Sequence, residues 1–169
     1  MKEAAVVIIK PDGIRRNLVG EILSRFAQTG LEIGAMRIVR VTRVLAEEHY
    51  RHIKGQPFFE GTVSYFSGNG SGDKQNKLLA ILYSGENAIK ECRRIAGITN
   101  PLEADPNSIR GSYGRITKDG VFENVVHVSS TLEEAKREIK LWFRSEDITI
   151  DLFEDKPRKT QNLKKKVRK

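Results

Sequence analysis

Six consecutive apolar residues, Ala4-Ala5-Val6-Val7-Ile8-Ile9, end abruptly at Lys10-Pro11. A run this short, rich in β-branched residues and unbroken by polar positions, predicts a strand buried on both faces. Such a strand is stable only inside a sheet that other elements cover. At 169 residues the chain is long enough to build that cover as one ordinary globular domain.

The elements around the strand follow a β-α-β-α-β-α-β order. Leu18, Val19, Ile22, Leu23 and Phe26 recur at helical spacing, and Gly30 stops that helix. Leu31, Ile33 and Ala35 alternate as a strand does; the phase shifts at Met36, and Ile38 and Val41 continue it through a bulge. Residues 45–53 and 59–66 read as short helices flanking Pro57, 78–83 as a third strand, and 86–96 as a helix with Ala88, Ile89, Cys92 and Ile95 on one side. Residues 124–128 form a last short strand, and Leu132, Ala135, Ile139 and Trp142 mark the final helix. Ser130 followed by Glu133 fits a capping box at its start. The order implies a mixed α/β domain with a small sheet covered by helices. Two stretches lack a core-forming pattern: the Gly/Ser/Asn-rich 67–76, and 97–122, which holds Pro101 and Pro106. Loops as long as the second are usually functional.

Composition narrows the partners. No apolar run approaches the roughly 18 residues of a membrane span. The apolar start meets Lys10-Pro11-Asp12 rather than a small-residue cleavage site, so it reads as a strand and not a signal peptide. The lone Cys92 excludes an internal disulfide and a multi-cysteine metal site, and cytoplasmic residence is the expectation. The net charge of +8 is misleading, because residues 156–169 contain eight Lys or Arg and no acid. The rest of the chain is near neutral and is not a generally basic nucleic-acid binder. The tail, expected to be flexible, reads either as a solvated extension or as a salt-sensitive contact for nucleic acid or an anionic surface.

Three histidines are candidates for chemistry. His49 and His52 lie on a polar helix near Arg51 and Lys54, where a solvated histidine is expected. His127 closes an apolar strand just before a helix N-terminus, where backbone N–H groups favour anions. Alone it fits a structural histidine as well as a reactive one. Arg93, Arg94, Arg110 and Arg115, with Thr99 and Ser108, could gather around phosphates, since guanidinium forks match phosphate oxygens. Lys10 sits at the rim of the sheet, where ligands commonly bind. There is no Walker A sequence and no G-x-G-x-x-G.

Val7-Ile8-Ile9-Lys10-Pro11-Asp12-Gly13, His49-Tyr50, Pro57-Phe58-Phe59, Gly97-Ile98-Thr99-Asn100-Pro101, Ser108-Ile109-Arg110-Gly111 and Asn124-Val125-Val126-His127 appear in succession. Together they resemble the signatures of nucleoside diphosphate kinases and cover nearly all of residues 4–145. The resemblance implies an α+β, ferredoxin-like domain over 1–145, with a four-stranded antiparallel sheet, followed by an extension over 146–155. It also implies ping-pong transfer of a γ-phosphoryl group between ATP or other nucleoside triphosphates and diphosphates, through a phosphohistidine at His127. Glu138 then orients the imidazole. Lys10, Tyr50, Asn124 and Ser129 join the catalytic group, and Lys10, Phe58, Arg93, Thr99, Arg110 and Asn124 bind nucleotide, with Phe58 stacking on the base. Mg²⁺ is expected on the nucleotide phosphates, without direct protein ligands. A homo-oligomer is expected, a hexamer in preference to a tetramer.

The chain departs from the family pattern in places. His127-Val128-Ser129-Ser130 stands where His-Gly-Ser-Asp is usual. A branched side chain at 128 restricts backbone that a glycine leaves free, and the aspartate's charge is lost at 130. Insertions fall near 67–76 and 115–123. A nucleotide- or nucleic-acid-binding regulator that kept the fold and lost the chemistry is the alternative, and transfer activity separates the two.

Overall fold

The computed structural model describes residues 2–68, 76–118 and 120–152. Strand β1 (Lys2–Ile9) is central in a four-stranded sheet, between β3 (Lys77–Glu86) and β6 (Val126–Val128), with β2 (Glu32–Arg40) outside β3. Every pairing is antiparallel, as the ferredoxin-like expectation requires. Helices α1 (Pro11–Arg15), α2 (Val19–Ala27), α3 (Arg43–His49), α4 (Phe59–Phe66), α5 (Ala88–Ala96), α6 (Ile109–Tyr113) and α7 (Leu132–Trp142) make the connections. Strands β4 (Arg115–Ile116) and β5 (Phe122–Glu123) pair antiparallel as a separate two-stranded sheet.

The unbroken apolar run of β1 follows from this arrangement. Ala5, Val7 and Ile9 face one core, packed with Ile22 and Phe26 of α2 and Ala88 and Cys92 of α5. Val6 and Ile8 face a second core, with Ala46 of α3, Val63 and Phe66 of α4, and Ile139 and Trp142 of α7. Each fully buried Val, Ile or Phe contributes about 1.5–3 kcal/mol relative to exposure, so neither face of β1 tolerates a polar residue.

Several boundaries differ from the sequence expectation. The bulge in β2 lies between Ile33 and Ala35, at Gly34, not at Met36. There Gly34 O accepts from the N–H and the hydroxyl of Thr149, and a Cβ on Gly34 would lie 2.3 Å from Ile150 Cδ1. The start of the C-terminal extension is therefore laid against the sheet edge. The helix expected over 45–53 ends at His49 and continues as a 3-10 turn, Arg51–Ile53. The strand expected from residue 124 begins at Val126. The cap of α7 is Thr131, one residue later than the Ser130–Glu133 spacing suggests, and its Oγ1 accepts from Glu134 N at 3.1 Å. Val128, in the usual glycine's place, sits in β6 paired with Val7 and needs no positive φ. The left-handed residue is instead Val125, at φ 55°. The loop near 67–76 and the tail at 156–169 lie largely or wholly outside the described residues.

Candidate active site

β6 is three residues long, with His127 at its centre. His127 projects from it opposite Ile8 of the central strand, and its side chain is 13% exposed. Its Nε2 lies 2.7 Å from Glu138 Oε1. Glu138 is completely buried on α7, and its other oxygen accepts from Ser129 Oγ at 2.6 Å. The carboxylate thereby fixes the ring's tautomer, with the proton on Nε2, and leaves Nδ1 as the nitrogen with the free lone pair. Burial, reinforced by Lys10 and Arg110 and opposed by Glu134, pushes the His127 imidazole down to about 3, so it is neutral at physiological pH.

His49 was expected to be solvated and is not. It is fully buried, with ring edge against face to His127 at 4.4 Å and stacked on Phe66 at 5.2 Å. Trp142 Nε1 donates to its Nδ1 at 3.3 Å. Burial, then the neighbouring His127, keeps His49 well below its usual range, and hence neutral. The signal was present in the sequence: Leu45, Ala46, His49 and Tyr50 share one helical face, and Ala46, His49 and Tyr50 are buried. His52 is exposed, as expected.

A cationic wall stands beside the imidazole. Lys10 Nζ donates to Asn124 Oδ1 at 2.7 Å, and Asn124 Nδ2 donates to the carbonyl of Thr99 at 2.8 Å. Arg110 donates from Nη1 to Gly97 O at 2.7 Å and from Nη2 to Val126 O at 3.0 Å, which leaves its buried Nε unpaired. Its helix starts at Ser108, whose hydroxyl caps Gly111 N. Lys10 is lowered to about 8 by burial, so it remains charged but is poised to lose its proton above neutrality. Tyr50 is buried, and burial together with Glu138 raises its phenol well above the usual range, so it serves as a neutral hydroxyl.

Not every candidate arginine joins this group. Arg93 is exposed but acts electrostatically on Arg110, and with Ser130, Thr131 and Leu132 it lines an open groove of about 440 Å³. Arg94 pairs with Glu91, and Arg115 with Glu123, so neither is gathered with them. Thr99 is exposed, and Phe58 stands 57% exposed at the start of α4. Two contributors were missed from sequence. Asp12, fully buried on α1, accepts from Val125 N at 3.0 Å and so secures the left-handed turn before His127. Glu134, on α7, accepts from Ser130 N in the turn that follows His127. A buried acid in Lys10-Pro11-Asp12-Gly13 gave Asp12 a signal; nothing local distinguished Glu134 from Glu133.

A neutral imidazole held by a buried carboxylate, facing an ammonium and a guanidinium, defines a phosphotransferase site with a histidine nucleophile. A family profile for nucleoside diphosphate kinase matches residues 3–148, and the chain belongs to that family. It is 41% identical over 146 residues to the nucleoside diphosphate kinase of Pyrococcus furiosus, covering 86% of each chain. It is 38% identical over 148 residues to that of Methanocaldococcus jannaschii, covering 88% of this chain and 98% of the relative. Among solved structures, the Borrelia burgdorferi enzyme, a transition-state mimic with bound vanadate and ADP, superposes with a TM-score of 0.79 at 27% identity, over 91% of this chain and 94% of that one. The Halobacterium salinarum enzyme in complex with CDP gives 0.77 at 32% identity, over 92% and 95%.

Proposed function

We propose that the chain transfers the γ-phosphoryl group of a nucleoside triphosphate to a nucleoside diphosphate by ping-pong exchange through His127. The observation that carries this reading is the 2.7 Å tether between His127 Nε2 and the buried Glu138. It frees Nδ1 to attack while Nε2 keeps its proton. The bond from γ-phosphorus to the bridging oxygen breaks, and the diphosphate leaves with the electron pair. The second diphosphate then takes the phosphoryl group by the reverse path. Lys10, Arg93 and Arg110 offset the charge of the phosphates, and Tyr50, Asn124 and Thr99 line the approach. Ser129 holds Glu138. Phe58 offers a π-face to any base, which favours broad base tolerance.

Mg²⁺ belongs to the same reading. Around the nucleophile the ligand atoms of His49, His127 and Glu138 lie within 4.8 Å of one another. That nitrogen-rich set is engaged in hydrogen bonds and suits a hard, oxygen-seeking ion poorly. The ion would therefore be held by the nucleotide phosphates, where it would supply charge neutralisation.

The sheet edge supports a reading of assembly. Ile33, Met36 and Ile38 are exposed on edge strand β2, and an apolar edge of this kind is normally covered. A homo-oligomer, hexamer in preference to tetramer, is the reading, and light scattering decides it. Among the described residues no helix is long and apolar enough to cross a membrane. Cytoplasmic residence, and a weak anionic contact through residues 156–169, complete the proposal.

The test is incubation with Mg²⁺ and ATP radiolabelled on its γ-phosphoryl, then a chase with GDP or CDP. An acid-labile phosphoenzyme, chased by either diphosphate and absent in His127→Gln, is expected. A label that persists in that variant would sink the assignment.

A further inference from the structure

The turn that follows the nucleophile, Val128-Ser129-Ser130, is held by two carboxylates and not one. Glu138 takes Ser129, and Glu134 takes Ser130. Glu134 Oε2 accepts from Ser130 N at 2.6 Å and from Ser130 Oγ at 2.5 Å, while its Oε1 stands 3.9 Å from His52 Nδ1. Its side chain is only 14% exposed. Residues four apart stack on one face of a helix, so Glu134 lies one turn above Glu138 on the face turned toward His127.

We propose that Glu134 is a second positioning carboxylate of the nucleophile, fixing the turn through Ser130 and stabilising by its charge the cationic imidazole that develops as Nδ1 bonds to phosphorus. The proposal rests on phosphoryl transfer through His127. As that bond forms, the imidazole donates its lone pair and gains positive charge, while its Nε2 proton stays on the hydrogen bond to Glu138. A carboxylate that is already charged and already oriented acts on this charge without reorganisation. Glu134 meets both conditions. Burial raises it, but the two Ser130 hydrogen bonds and then His127 and His52 lower it further, so it is ionised across the neutral range. Its charge opposes burial at His127, whereas Lys10, Arg110 and His52 act in the same direction as burial. Glu138 and Arg137 of α7 complete the charged groups on this side.

The position also supplies a carboxylate to a turn whose own residue at 130 is an uncharged serine. An acid at 130 would start from the turn itself and the acid at 134 starts from α7, but both bring charge to the same turn. Because both oxygens of Glu134 face protein groups, its loss acts on the reacting imidazole more than on the incoming phosphates.

The experiment is a charge exchange. Glu134→Gln keeps the size and an oxygen that can accept from Ser130, and removes the charge. We expect kcat to fall about three- to tenfold, with KM for the nucleoside diphosphate unchanged or lower. Ser130→Ala, which leaves the carboxylate in place, should lose less. Ser130→Asp combined with Glu134→Gln should recover most of the lost kcat, a rescue that a purely structural role does not predict. Glu134→Gln turning over at the parental kcat, or Ser130→Ala matching its loss, overturns the proposal. His127→Gln decides the underlying reading separately, because it abolishes the phosphoenzyme whatever Glu134 does.

Discussion

Ser129 Oγ donates to Glu138 Oε2 at 2.6 Å, and the backbone N–H of Val6 donates to that same hydroxyl at 3.0 Å. The serine thus splints the carboxylate to the central strand, and all three groups are buried. Ser129→Ala strands one carboxylate oxygen without a donor, at a cost of about 1–3 kcal/mol. With Glu138 free to rotate, the His127 tautomer is held less firmly. We expect kcat to fall about tenfold with little change in KM, since phosphate contacts are untouched. Steady-state kinetics and urea denaturation of the variant check both numbers.

Lys10 ties activity to alkaline pH. Burial brings its ammonium from 10.5 down to about 8, with Asp12 opposing and Arg110 assisting. The free enzyme therefore loses this charge above about pH 8, and kcat/KM, which reports the free enzyme, should decline there. Bound phosphate restores the proton, so kcat should hold to higher pH. Stability moves the opposite way: the unfolded chain binds more protons between pH 8 and 10.5, so the folded state gains as pH rises through that window. Lys10→Met should lower kcat/KM and abolish the alkaline limb.

The two buried histidines set the acid side. His127 is held at about 3 and His49 is also lowered, both chiefly by burial, against an ordinary value of 6.5. Their contribution is complete above the unfolded value and is lost as pH falls below it, because the unfolded chain then takes up protons that the folded one refuses. Unfolding free energy should drop as pH falls below about 6.5, with the raised carboxyl of Glu138 partly offsetting the loss. In His127→Gln the drop should be less steep. An unchanged slope would show that the imidazole accepts its proton without unfolding.

Much of this was legible in sequence, and the losses have physical causes. The two-faced burial of β1 was written in six apolar residues, and α5 and α7 in their helical spacing. α1 was not, because Pro11-Asp12-Gly13-Ile14-Arg15 is too short to display a period. Lys10, Asn124, Arg110, His127, Ser129 and Glu138 were named from sequence, and the fold brings them into linked or neighbouring contacts. His49 was misjudged because its neighbours Glu48, Arg51 and Lys54 are polar, whereas its own face of α3 is apolar. Glu134 was invisible because its role depends on a cap that starts one residue later than the Ser130–Glu133 spacing suggests.

Two glycines give opposite expectations for one substitution. Gly111 follows Arg110 in α6, and a Cβ there would lie 2.0 Å from the carbonyl oxygen of Asp105 and 2.6 Å from its carbon. These are backbone atoms, so the loop carrying Ser108 and Arg110 must move as a body. Gly111→Ala should cost about 1–3 kcal/mol or more. It should also raise KM for nucleotide, because Arg110 loses its paired anchors at Gly97 O and Val126 O. Gly61, inside α4, has nothing within 4 Å of its would-be Cβ and no positive φ. Gly61→Ala should stabilise by about 0.5–1 kcal/mol through helix propensity and a less flexible unfolded chain. Thermal melts and nucleotide titrations of the pair discriminate the two. A Gly111→Ala protein with parental stability and KM would mean that this loop does not hold Arg110 rigidly, and the phosphate site would then have to be assembled by the nucleotide itself.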